Sequence, residues 1–229
     1  MEYPVTFIES VRRTPSAVSC RYSRPAGFSF TAGQYLLVDL GEGLVHPLSL
    51  SEAPEERDFL EFTKRMTGSA FCRKLEGLAA GDPFRVRGPT GRFTLDGSEK
   101  ILVFLAGGIG ITPIRSILKS LTAQVTLPEK TLLIYGNLNA ADIAFREELE
   151  GVVLPGYRLV HVLADPQGVA GAHQGYITAD LIAAEVSDLR PVTFMVSGPP
   201  VMVAAMQKNL AALGVAPGRI RTDIFLGYE

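Results

Sequence analysis

Near residue 100 the spacing of apolar residues changes, and this change dictates what the chain can fold into. Beyond it, apolar runs at 101–106, 131–135, 158–163 and 192–197 each lead into a helical segment. The first helix carries Ile114, Ile117, Leu118 and Leu121, the second spans about 142–149, the third 178–185, and the fourth carries Met202, Met206, Leu210 and Leu213. A final strand is expected at 220–225. Strand and helix in turn imply a parallel sheet covered on both faces. Before residue 100 the β segments are short, at 3–7, 17–24, 35–40, 45–51, 59–64 and 84–86. Pro25-Ala26-Gly27, Gly41-Glu42-Gly43, Gly81-Asp82-Pro83 and Gly88-Pro89-Thr90-Gly91 punctuate them. That is the pattern of a small antiparallel barrel, with one helical stretch at 69–78. The sequence therefore predicts two domains, an antiparallel β-barrel at 1–97 and an α/β domain with a Rossmann-like parallel sheet at 98–229. Residues 165–175 read as the longest loop.

At 229 residues and 47% hydrophobic content, the chain can bury two such cores. Its formal charge of −2 is evenly spread, with 12 basic and 12 acidic residues in 1–97 and 10 and 12 in the rest. Nucleic-acid binding, which needs a concentrated basic face, is not expected. No apolar run approaches the ~20 residues needed to span a bilayer, and no signal peptide opens the chain, so a soluble cytoplasmic protein is expected. Cys20 and Cys72 are too few for a four-cysteine zinc or iron–sulfur site, no metal is expected, and both read as reduced thiols.

The strongest local signal is Ala106-Gly107-Gly108-Ile109-Gly110-Ile111-Thr112-Pro113, directly after a buried strand. Glycines let the backbone turn tightly and approach a ligand, Thr112 suits a helix cap, and Pro113 suits the first helical position. A helix start reached this way favours a pyrophosphate, although a tight strand-to-helix turn would look the same. Ser197-Gly198-Pro199-Pro200 and Gly136-Asn137 follow two more strands. In an open parallel sheet ligands lie beyond the carboxyl ends of the strands, so the three turns point to one crevice. In the barrel, Thr67-Gly68-Ser69 is compatible with a second anion site capped by Ser69 and equally with a plain capped helix. His46 is one of three histidines and is unspecific alone.

Taken in order, these segments resemble the ferredoxin-NADP reductase superfamily across essentially the whole chain. The resemblance rests on Ala32-Gly33-Gln34-Tyr35, His46-Pro47-Leu48-Ser49-Leu50-Ser51, Thr63-Lys64-Arg65, Thr67-Gly68-Ser69, Gly88-Pro89-Thr90-Gly91-Arg92-Phe93, the glycine-rich turn, Ser197-Gly198-Pro199-Pro200, and the ending Arg221-Thr222-Asp223-Ile224-Phe225-Leu226-Gly227-Tyr228. It implies an FAD-binding Greek-key barrel and an NAD(P)-binding second domain, with electrons passing from NADH or NADPH through the flavin to a separate acceptor. That acceptor would be ferredoxin, flavodoxin, an oxygenase component or a small molecule. It further implies that His46, Pro47, Leu48 and Ser49 hold the flavin, with Ser49 near its hydride-accepting N5. Thr63, Lys64 and Arg65, with Gly68, Ser69 and Ala70, would bind the ribityl and pyrophosphate parts. Gly107, Gly108, Gly110, Thr112 and Pro113 would receive the nucleotide pyrophosphate, with Gly136 and Asn137 in the same crevice. Ser197, Gly198, Pro199 and Pro200 would border the nicotinamide, and Met202 on the following helix would be a further cofactor-binding residue. Tyr228 and Phe225 would cover the flavin face.

The chain departs from the family pattern at three places. Leu48 replaces an aromatic that packs on the flavin, which is expected to weaken FAD binding by only ~0.5 to 1.5 kcal/mol. Ser197 replaces a cysteine beside the nicotinamide, and Leu138 stands where relatives often carry arginine. With no positive charge in Gly136-Asn137-Leu138-Asn139-Ala140-Ala141, Arg146 expected to pair with Glu150, and no acidic residue close after Tyr135, weak discrimination in favour of NADH is expected. A subunit of a larger electron-transfer complex and a non-catalytic flavin-binding module remain alternatives.

Overall fold

A computed structural model describes residues 1–225. The first half contains β1 (Glu2–Thr14), β2 (Ala17–Ser23), β3 (Tyr35–Asp39), β4 (Val45–Ser49), β5 (Phe59–Arg65), α1 (Ala70–Glu76) and β6 (Pro83–Thr90). Its six strands form one antiparallel sheet in the order β4-β3-β6-β1-β2-β5. An antiparallel bridge between Leu50 and Phe62 joins the two edge strands and closes the sheet into a barrel. Inward residues such as Val5, Tyr22, Leu36, Val38, Leu60, Phe62 and Val86 fill it, and Phe71 and Leu75 of α1 plug one side.

The second half contains β7 (Ile101–Gly107), α2 (Ile111–Thr122), β8 (Lys130–Asn137), α3 (Arg146–Glu150), β9 (Tyr157–Leu163), β10 (His173–Gln174), α4 (Ala179–Glu185), β11 (Val192–Gly198), α5 (Pro200–Ala212) and β12 (Ile220–Ile224). All neighbours in the sheet β10-β9-β8-β7-β11-β12 are parallel. One face packs on α2 and α3, the other on α4 and α5. The chain builds outward from β7 through β8, β9 and β10, then returns to lay β11 on the other side of β7. The carboxyl ends of β7 and β11 therefore flank the point where strand order reverses, where a crevice opens. Ala32 and Phe93 join the core beneath α2, so the barrel and the sheet domain share apolar packing.

Both predicted architectures are present, with corrections in detail. The helix expected at 142–149 is only Arg146–Glu150. The Asn139 side chain accepts from the Ala141 and Asp142 amides, holding a single 3₁₀ turn, after which Ile143 is extended and Phe145 left-handed. Apolar spacing at Ile143 and Leu149 imitated a helix that this local capping breaks. Thr112 does not cap α2. A 3₁₀ turn at Gly108–Gly110 runs straight into the helix, so Thr112 and Pro113 fall in its first turn and both are buried. The Thr112 hydroxyl instead donates to Ile109 O at 3.1 Å. Within the loop at 165–175, β10 adds a short parallel strand beside β9.

Candidate functional site

A cavity of about 470 Å³ opens between the domains at the carboxyl ends of β7, β8 and β11, within the ordinary range for a ligand site. Gly107, Gly108, Gly136, Asn137, Pro199 and Met202 line it. The glycines do so for different reasons. A Cβ on Gly110 would lie 2.4 Å from the Ser197 carbonyl oxygen and 2.6 Å from the Gly198 Cα, so this glycine lets the turns after β7 and β11 touch. A Cβ on Gly107 would meet the Met202 sulfur at 2.1 Å. Gly108 has a φ of +51° and open space around its Cβ position, leaving its backbone approachable from the cavity.

Several expected contacts are not in this wall. Gly110, Thr112, Pro113, Ser197 and Gly198 are buried behind it, and Pro200 is exposed outside it. Close mating of the two turns drives the first group inward. The Ser197 hydroxyl is fully buried and has no hydrogen-bond partner among the described residues. Tyr228 lies outside the described residues. Phe225 is half-buried, and its amide donates to Gly198 O at 3.0 Å, fixing the backbone beside the β11 turn.

Strand alternation separates the Thr63-Lys64-Arg65 group. Successive strand side chains point to opposite faces, so these three cannot serve one ligand part. The Thr63 hydroxyl is buried between those of Ser19 and Ser51, at 2.7 and 2.9 Å. Arg65 lines the cavity together with Thr14, Ser16 and Ala17 of the barrel. Lys64 turns the other way, with its ammonium 5.8 Å from the Phe71 ring. There it joins His46, whose ring stacks on Phe71 at 4.1 Å and 8°. Burial pushes the Lys64 ammonium below its ordinary pKa, and burial plus the Lys64 charge lowers His46.

The same corner holds the start of α1, where the Ser69 hydroxyl accepts from the Cys72 amide as the sequence implied. Exposed Gly68 and Ala70 flank it. Burial raises the Cys72 thiol, but hydrogen bonds from Ser69 and Thr67 outweigh it and leave its pKa lowered. Lysine, imidazole and free helix amides together suit an anion.

Half-buried Pro47 occupies β4 next to Leu48, and Leu48 is buried in the barrel core opposite Leu36 rather than on an open face. The aromatic missing at this position is therefore replaced by barrel packing. Ser49 is buried at the seam of the two domains, and its hydroxyl donates to the Asp223 carboxylate of β12 across a long 3.4 Å. Burial pushes Asp223 up to about 6, with only partial relief from Ser49. Sequence reasoning assigned Asp223 no role. Its position beside Ser49 depends on β12 pairing with β11, with Ser197 opposite Asp223.

Asp142 was missed in the same way. It lines the cavity, and with Arg65 it makes up all the formal charge among the described lining residues. Six residues separate it from Tyr135, but the 3₁₀ turn folds it back to the mouth, so the acidic group absent from the strand end is supplied by the turn. Arg115, in the first turns of α2, offers no charge to a nucleotide phosphate, since Glu52, Glu61 and Glu148 engage it. Arg146 pairs with Glu150 at 2.8 Å, as expected.

The family model for the oxidoreductase NAD-binding domain matches residues 104–208. The chain is 34% identical to NADH–cytochrome b5 reductase 1 of Arabidopsis thaliana over 61% of its own length and 52% of that protein. It is 30% identical to the flavohemoprotein of Pseudomonas putida, over 84% of its own length and 50% of that protein. It thus spans about half the length of these curated relatives. The solved cytochrome P450 reductase GcoB of Amycolatopsis superposes with a TM-score of 0.83 at 29% identity, covering 98% of this chain and 70% of that one. The barrel closed against a parallel sheet, the glycine turns at its switch point and these similarities lead to one assignment. Residues 104–208 match the NAD-binding domain family, and the similarities along the chain support the ferredoxin-NADP reductase superfamily of FAD- and NAD(P)-binding oxidoreductases.

Proposed function

We propose that the chain is an FAD-dependent reductase that takes a hydride from NADH in the interdomain cavity and passes electrons to a separate acceptor, protein or small molecule. The observation that carries this reading is a cavity walled by both domains, with an approachable glycine backbone, one cation and one carboxylate. Gly107 and Gly108 at the 3₁₀ start receive the nucleotide pyrophosphate, with Arg65 across the cavity as its counter-charge. Asp142 accepts from the ribose hydroxyls and disfavours a 2′-phosphate, which sharpens the expected preference for NADH.

The residues present also fit FAD. Lys64, His46 and the Ser69-capped start of α1 hold its pyrophosphate, while Ser49 and the backbone of Pro47 and Leu48 face the ring. When bound, the flavin supplies the two-electron acceptor. Asp223, with a pKa near 6, stores a proton that the Ser49 hydroxyl relays toward the reacting edge. Met202, Pro199 and Ile177 exclude water from the cavity. No helix among the described residues is long and apolar enough to cross a membrane.

Among acceptors, a haem protein is favoured, because the named relatives include reductases of cytochrome b5 and of a cytochrome P450. The test is the visible spectrum of purified, FAD-incubated protein before and after anaerobic NADH. Retained flavin that bleaches with NADH supports the proposal. Failure to retain flavin, or no bleaching with either nucleotide, overturns it.

A further inference from the structure

Outside the cavity, the seam between the domains holds a second assembly, centred on Arg115 of α2, which is 3% exposed. Its guanidinium grips Glu148 in a fork, Nε to Oε1 at 2.7 Å and Nη2 to Oε2 at 3.0 Å. Its other donors go to the barrel: Nη1 to Ser51 O at 2.5 Å and Glu61 Oε1 at 2.9 Å, and Nη2 to Glu52 Oε2 at 3.2 Å. All five donors of the side chain are thereby engaged.

The ring of Phe145 lies against the same guanidinium at 4.4 Å, and Arg13 of β1 approaches that ring at 5.0 Å. Phe145 has a φ of +60°. Such a conformation is rare for a bulky residue and persists only where its surroundings fix it. Here they do, since the ring sits beside two guanidiniums contributed by different domains.

The two ends of this assembly lead to the two halves of the site. Ser51 lies two positions from Ser49 of the flavin side, and its hydroxyl donates to Glu61 Oε1 at 3.0 Å. Phe145 directly follows Ala144, and both Ala144 and Asp142 line the cavity. A fully bonded ionic cluster of this kind is weak as a source of net stability, because its desolvation offsets most of its Coulombic gain. Fixing a unique arrangement is the contribution such a cluster makes best.

We propose that Arg115 is a positioning residue: by clamping Glu148 and Phe145 to the barrel strands, it holds the turn at 139–148 where Asp142 and Ala144 meet the nucleotide. Nucleotide affinity is then set in part by a barrel contact that touches no nucleotide. The inference rests on assigning the cavity to NADH.

Glu148→Gln loosens the clamp at its more exposed end while leaving Arg115 bonded to the barrel. The expected result is a rise of about tenfold in the KM for NADH and in the Kd for ADP-ribose, with kcat at saturation within about twofold. Amide exchange across 139–150 in the FAD-loaded protein accelerates, exchange in β5 does not, and bound FAD is unchanged. Arg115→Lys, a point charge without the planar fork, gives the same split and does not restore affinity. Unchanged ADP-ribose affinity with unchanged exchange overturns the proposal, and so does loss of FAD in step with loss of nucleotide. ADP-ribose binding and exchange need no turnover. Wild-type protein that binds ADP-ribose but is not reduced by NADH would therefore count against the reductase reading alone.

Discussion

Two strips of the seam between the domains have opposite character. One is the cavity wall, built from glycine backbone and apolar side chains, with Arg65 and Asp142 as its only charges among the described residues. The other is the Arg115 cluster, where every donor and most acceptors already have partners. A ligand enters where the protein leaves groups unspent, and the domains are registered where nothing is left over. The cluster therefore governs architecture, and the open strip governs chemistry.

The largest effect expected from breaking that division is at Arg115. Arg115→Met removes the cation shared by Glu52, Glu61 and Glu148, leaving Lys119 on Glu52 and Arg13 and Arg21 on Glu61, and should cost up to roughly 3 to 5 kcal/mol in urea unfolding. A loss below about 1 kcal/mol would mean that the carboxylates find water, and that the strip is not saturated. Burial by itself pushes Glu52 up, and the Arg115 and Lys119 charges reverse this and hold it below its usual range. Its contribution is thus present above the unfolded carboxylate range and lost as pH falls through the lowered value.

Asp223 tests the seam with the opposite sign. Its folded pKa near 6 lies above the unfolded value, so the native state binds the extra proton between about pH 4 and 6. Stability should fall as pH rises through that window, by up to roughly 3 kcal/mol, and Asp223→Asn should remove the slope. Urea midpoints at pH 4.5 and 6.5 for both proteins give the comparison, and parallel curves would place Asp223 in contact with water.

Within the open strip, Asp142→Ala should raise the ratio of kcat/KM for NADPH over NADH by about tenfold, near 1.4 kcal/mol. An unchanged ratio would remove Asp142 from the ribose. The smallest effect belongs to Ser197, whose buried hydroxyl has no partner among the described residues. Ser197→Cys or Ser197→Ala should stabilise the protein by about 1 kcal/mol in thermal unfolding, since an unsatisfied buried hydroxyl costs ~1 to 3 kcal/mol. Destabilisation by either would reveal a bond to water or to the cofactor.

The same contrast explains what was legible in the sequence. Barrel, parallel sheet and glycine turns were readable because periodicity and turn chemistry are local. So was the Ser69 cap, which needs only residues three apart. Asp142 was not, because an Asn139 side-chain bond, rather than helical periodicity, decides where the chain goes after β8. Lys64 and Arg65 were assigned together because a motif is contiguous, whereas a strand sends neighbours to opposite faces. Asp223 and Arg115 depend on partners 174 and 64 positions away in the chain, Ser49 and Ser51, and no spacing rule reaches that far.

Gly110 has a consequence for how such chains drift over generations. Its missing side chain makes room for the backbone at Ser197 and Gly198, not for a ligand. A descendant that gave up its nucleotide would still be compelled to keep this glycine, because any replacement would wedge the ends of β7 and β11 apart. Gly108, whose neighbourhood is open, would be held only by its φ of +51°, a conformation that Asn or Asp can also adopt. Between an active lineage and a silent one, the second glycine of the turn is the position that keeps the record.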